Sequence, residues 1–258
     1  MHFHKLRIRI SLLWLPYLLM LPYLPVARLI GWIFIMLTIH EMAHMLCAIL
    51  FHYPIERINI YPFGLAATIT HIGHGSLVKE ILIISAGPLM HVLFPSLFQF
   101  CVAKGILSPS FASYLHTINA SILLFNLLPI YPLDGGRLMQ TFFHCFLRFR
   151  TAEYETLICS LISITAVFYF HLLQGVSAVI VLIFLILQIS LSWRSLPLTP
   201  LQLFHYRRLH PVAYDPILNE SFDLYRGRRN IIKYGRGWID EKDWLRQRFG
   251  SEKNSRRP

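Results

Sequence analysis

The stretch FIMLTIHEMAHMLCAILF, residues 34–51, sets His40, Glu41 and His44 inside a run that is otherwise apolar enough to lie in lipid. A charged side chain at the centre of a membrane helix costs roughly 2.5–3.5 kcal/mol on insertion scales, so such groups turn toward a protein interior and mark function. On a helix, positions four apart share a face. His40 and His44 therefore direct two imidazole nitrogens at one point, and Glu41, one residue round, can reach a water held there.

The rest of the composition agrees with a membrane setting. Hydrophobic residues make up 55% of the 258 and charged residues 14%, against about 25% charged in soluble domains. Cys47, Cys101, Cys145 and Cys159 lie in or beside apolar runs with no Cys-x-x-Cys pair, so neither a disulfide framework nor a thiolate zinc site is suggested, and each reads as a small buried hydrophobe. The formal charge of +11 is concentrated at the end: from Trp193 onward 14 Lys and Arg face 7 Asp and Glu. A solvated cytoplasmic tail near anionic lipid headgroups accounts for that excess, and no nucleic-acid partner is expected.

Runs of about 20 apolar residues, the length that crosses a bilayer as a helix, can be read at 10–26, 28–51, 78–102, 111–131, 155–173 and 176–193. The first carries Pro16, Pro22 and Pro25 and lacks a small-residue cleavage site, so it reads as an uncleaved anchor. With six spans, nearly every loop Lys and Arg falls on one side, which puts both termini in the cytoplasm. Between the second and third runs, RINIYPFGLAATITHIGHG is rich in β-branched residues and punctuated by Pro62, Gly64, Gly73 and Gly75. It reads as a hairpin-like element dipping toward the membrane. The expected fold is thus an α-helical polytopic membrane protein of about six transmembrane helices, with a short membrane-associated β-like loop and a basic cytoplasmic tail. Residues 1–192 form the membrane domain, with a catalytic core at about 28–140, and residues 193–258 the tail. GRGWIDEKDWLRQRF in that tail approximates an amphipathic helix through Trp238, Trp244, Leu245 and Phe249.

His-Glu-x-x-His is the spacing of zinc peptidases, and with 13 His in this chain it is expected by chance only about 0.02 times. Histidines merely bonded to backbone would leave the Glu41 carboxylate without an obvious partner. A catalytic zinc takes three protein ligands and one open position. Asp134, in NLLPIYPLDGGRL, is the only acidic residue between Glu80 and Glu153, and Gly135 and Gly136 let the backbone bend there. Two neutral imidazoles and one carboxylate leave a zinc site net positive, which offsets the burial of Glu41 and Asp134 and lowers the pKa of a held water to about 7.

The segments IHEMAH, SAGPLMH and NLLPIYPLDGG occur in the order and spacing of the site-2 protease family of intramembrane zinc metalloproteases. With YPFG ahead of AGPLMH, the chain is most similar to the branch containing the stage IV sporulation protease FB. The resemblance covers roughly residues 28–140. It implies Glu41 as general base, His40, His44 and Asp134 as ligands of one Zn²⁺, and Asn126 as a contact for the substrate backbone. It also implies a membrane-tethered protein substrate, cut near the cytoplasmic face and connected with sporulation, and a regulatory membrane protein as a further partner. Members of that branch carry a nucleotide-sensing CBS domain; residues 193–258 show none of its β-α-β patterning.

Two other functions use the same groups. A metal transporter would line a through-path with exchangeable ligands, whereas here the acidic groups cluster at one depth and a Glu adjoins a ligand. An inactive scaffold has no need of an intact His40, Glu41, His44 and Asp134 set. His91 reads as a satisfied interior histidine, His2, His4, His71 and His74 as exposed, and Gly87 with Pro88 as a close helix-packing point.

Overall fold

The computed structural model describes residues 7–12, 24–61, 64–70, 72–170, 175–212 and 214–249. The first expected span lies mostly outside these residues, as do His2, His4 and His71. Among the described residues three helices are long and apolar enough to cross a bilayer, Ala27–Leu50, Leu77–Ala103 and Phe149–Tyr169. A fourth span results if Val179–Ser195 and Thr199–Leu209, bent by 63° at a short break, are taken as one. The chain is a mostly helical membrane protein, and it divides into two compact units, residues 1–72 with 78–128, and residues 73–77 with 129–258.

In the first unit β1 (Arg7–Ile10) leads to α1 (Leu24–Leu50), the hairpin β2 (Ile55–Tyr61) and β3 (Gly64–Ile69), then α2 (Leu77–Ala103) and α3 (Pro109–Asn126). Met36, His40, His44 and Ala48 of α1 are buried. They recur every fourth residue, which makes them one stripe. Ile35, Met42, Leu46 and Ile49, on its other faces, are exposed. This is the pattern of a helix whose outer surface meets lipid and whose polar groups face protein. Met36 packs with Phe94, Phe98 and Cys101 of α2 and with Ala112 and Leu115 of α3. The sheet has the order β1-β2-β3, with β1 parallel and β3 antiparallel to β2. The hairpin expected in RINIYPFGLAATI is therefore present, with β3 at an edge among the described strands. Ser108 caps α3, its Oγ accepting from the Phe111 N–H at 3.3 Å, and Pro109 follows at the first turn, where its missing N–H costs nothing.

The second unit holds α4 (Asp134–Phe146), α5 (Phe149–Tyr169), α6 (Val176–Ser195), α7 (Thr199–Leu209), a sheet of β4 (Pro216–Asn219), β5 (Arg229–Tyr234) and β6 (Gly237–Asp240), and α8 (Glu241–Phe249). Three expectations are corrected here. Gly135 and Gly136 form the first turn of α4 rather than a bend. A Cβ on Gly136 would collide with the backbone of Ile130 and Tyr131, so the glycine permits that chain crossing. Residues 199–249 are also more than a tail with one helix. Phe149, Leu203, Leu224, Ile232, Trp244 and Leu245 form a buried cluster, and Trp238 belongs to β6, not to the helix expected there. His74, expected to be exposed, is half-buried, its ring stacked 6.1 Å from Phe149.

Candidate metal centre

His44 Nδ1 lies 2.7 Å from the Ile83 carbonyl oxygen of α2. A carbonyl only accepts, so Nδ1 carries the proton and Nε2 keeps a lone pair. The His40 tautomer follows from a longer chain of bonds. Asn119 Nδ2 donates to the His91 carbonyl oxygen at 2.9 Å, which leaves Asn119 Oδ1 to accept from His91 Nδ1 at 2.7 Å. With its proton on Nδ1, His91 accepts at Nε2 from His40 Nδ1, 3.1 Å away. These tautomers are assigned from the hydrogen-bond network. Both ligand candidates consequently carry an unprotonated Nε2, and the two nitrogens face each other at 3.1 Å.

Two lone pairs at that separation repel unless a cation lies between them. Nitrogens about 2.0–2.1 Å from one tetrahedral zinc are roughly 3.3 Å apart, so the donor set and its spacing fit that ion. Gly87 keeps the place open. A Cβ there would press on the His44 ring and come within 2.7 Å of His40 Nε2. The expected close packing at Gly87 is thus packing against the candidate ligands themselves.

Glu41, next to His40, is half-buried, and its Oε1 accepts the Ala67 N–H of β3 at 2.8 Å. Ala67 pairs with Ile58 of β2, yet this N–H is turned away from the sheet. The base candidate therefore sits against the edge of β3 turned away from β2. Asn126 ends α3, where its Nδ2 donates to the Ile122 carbonyl oxygen at 3.0 Å. In the second unit Asp134 opens α4 and is buried. His40, Glu41 and His44 are thus brought together on one helix, supported by α2 and β3.

Sequence reasoning saw His91 only as a satisfied interior residue and overlooked Asn119. Both are buried in largely apolar stretches of sequence. Asn119 lies seven residues before Asn126 on the same helix, so it repeats the polar face two turns earlier.

Residues 101–170 match the model of Peptidase family M50, a stretch containing Asn119, Asn126 and Asp134 but not His40 to His44. Stage IV sporulation protein FB of Bacillus subtilis (strain 168) is 31% identical over 170 residues, which are 62% of this chain. The chain spans 57% of that relative's length. Among solved structures, the Site-2 Protease from Methanocaldococcus jannaschii is similar with a TM-score of 0.53 and 19% identity, over 74% of this chain and 93% of that one. At that identity the likeness is one of fold. All three agree with the resemblance carried by the motifs.

Proposed function

We propose that this chain, a member of the site-2 protease family with a relative of the stage IV sporulation FB type, is a zinc-dependent intramembrane endopeptidase. Its substrate is a membrane-tethered protein, cut near the cytoplasmic face to release a cytoplasmic factor, as in sporulation-linked processing. The observation that carries the reading is the pair of imidazole lone pairs of His40 and His44, 3.1 Å apart beside Gly87.

His40, His44 and Asp134 are the proposed ligands, giving two neutral donors and one anionic one. Zinc held there supplies Lewis acidity and a water acidified to a pKa of about 7. Glu41 takes the proton of the attacking water and returns it to the leaving amine. A helical substrate hides its scissile carbonyl in its own hydrogen bonds and has to unwind. The edge of β3 offers a strand for the unwound segment to pair with, and Asn126 offers its side-chain amide to that segment's backbone.

Residues 1–192 make up the protease domain in this reading, crossing the membrane six times with both termini cytoplasmic. Residues 193–258 form the cytoplasmic part, whose basic residues meet anionic headgroups. A regulatory membrane protein is a further partner class.

The test is co-expression of the chain with candidate membrane-tethered proteins, beside Glu41→Gln. The expected result is a cleavage product that disappears in the variant while zinc content is retained. Unchanged cleavage with Glu41→Gln, or a purified wild-type protein that takes up no zinc, overturns the reading.

A further inference from the structure

We propose that His91 and Asn119 act as a positioning relay that fixes which nitrogen of His40 is offered to the metal; the inference rests on the zinc reading above. His44 needs no such device, because the Ile83 carbonyl at 2.7 Å dictates its tautomer directly. His40 Nδ1 faces a second imidazole, and an imidazole nitrogen is donor or acceptor according to its own proton. Left to itself, the His40–His91 pair is satisfied equally well with the proton on either side of the contact. In one arrangement His40 carries its proton on Nε2, where the ion belongs, and cannot ligate.

Asn119 removes that ambiguity. Its amide nitrogen is committed to the His91 carbonyl at 2.9 Å, so its oxygen faces His91 Nδ1 at 2.7 Å and holds the proton there. The direction passes along the chain: Asn119 Oδ1 accepts, His91 Nδ1 donates, His91 Nε2 accepts, His40 Nδ1 donates, and His40 Nε2 is left unprotonated. One residue comes from each of α1, α2 and α3, and all three are buried, His91 to 1% exposure and Asn119 to 4%. Both ring nitrogens of His91 and both polar atoms of the Asn119 amide are used. Packing alone asks only for shape, which Phe and Leu would fill without burying four polar atoms.

The test uses the purified full chain in detergent, with zinc dissociation constants measured by competition with a chromophoric chelator and the visible spectrum of the Co²⁺-loaded protein recorded. Substitution of groups that orient metal ligands costs about 10–100-fold in affinity. His91→Phe is expected to weaken zinc by that factor and to shift the Co²⁺ bands. Asn119→Leu weakens it in the same direction, and the double variant is no worse than His91→Phe because both act through one chain. A purely structural role would instead lower the melting temperature of the metal-free protein and leave the dissociation constant alone.

Zinc affinity within twofold of wild type for Asn119→Leu overturns the relay, and this variant decides the matter if His91→Phe does not fold. The two readings fail differently. Wild-type protein without zinc, or His40→Ala that binds as wild type does, removes the metal site and the relay together; normal wild-type binding with unaffected Asn119→Leu removes the relay alone.

Discussion

Glu41 Oε1 accepts the Ala67 backbone N–H at 2.8 Å, so the base candidate on α1 is tied to the outer edge of β3. A hydrogen bond to a charged group contributes about 1.5–3 kcal/mol, enough to hold a carboxylate in one rotamer. Proline is tolerated on an edge strand where the N–H points away from the sheet. Ala67→Pro removes that donor with little other change. Cleavage should fall about 10- to 100-fold with zinc content unchanged, as followed by substrate immunoblot and metal analysis. Full activity would mean that β3 does not orient Glu41.

Glu41→Gln separates holding from chemistry. The amide oxygen still accepts from Ala67, but the side chain can no longer take a proton. A positioned general base is worth about 10²–10⁴ in rate, so cleavage should drop at least a hundredfold while zinc remains stoichiometric.

At Gly87 the expected effect is the reverse, loss of metal ahead of loss of fold. An added methyl would press on both imidazoles, whereas alanine is a better helix former than glycine within α2. Gly87→Ala should keep its helical circular dichroism and bind zinc at least tenfold more weakly. Wild-type affinity would show that the rings can move aside and that the glycine is not a requirement of the site.

For Asp134 the prediction concerns charge. Asp134→Ala should lose most of the bound zinc, because two neutral imidazoles alone leave the ion short of a ligand and of an anionic donor. Retention of full zinc content by metal analysis would remove Asp134 from the ligand set.

What could be read from residues alone divides along sequence distance. The His40–His44 stripe on α1 and the β2–β3 hairpin are local: the four-residue spacing of the one and the β-branched run broken by Pro62 and Gly64 of the other are visible within about a dozen residues, and the structure has both. Asn119 and His91 belong to different helices, and their hydrogen bond has no local signature. The start of α4 was masked by Gly135 and Gly136, whose turn propensity outweighs helix formation until the crossing backbone of Ile130 is known. The sheet formed by β4, β5 and β6 was hidden because its strands are only 4 to 6 residues long. Its core also depends on Phe149 and Leu203 from outside it.

The same contrast governs the entry to α5. Arg148 stands at its N-cap position with extended backbone (φ −63°, ψ 154°) but makes no side-chain cap. The acceptor comes from Asp223, whose two carboxylate oxygens take the Arg150 N–H at 3.1 and 3.2 Å across 73 residues of sequence. The Leu224 carbonyl accepts the neighbouring Phe149 N–H at 2.9 Å. Loss of a capping carboxylate costs about 1 kcal/mol, so Asp223→Ala should lower the thermal midpoint in detergent, and Asp223→Asn, which still accepts, should recover most of it. Because the Arg148 backbone already has capping geometry, Arg148→Asp in the Asp223→Ala background should restore stability by supplying the acceptor locally. Failure of that rescue, with Asp223→Ala still destabilised, would mean that Asp223 stabilises through some contact other than the helix terminus.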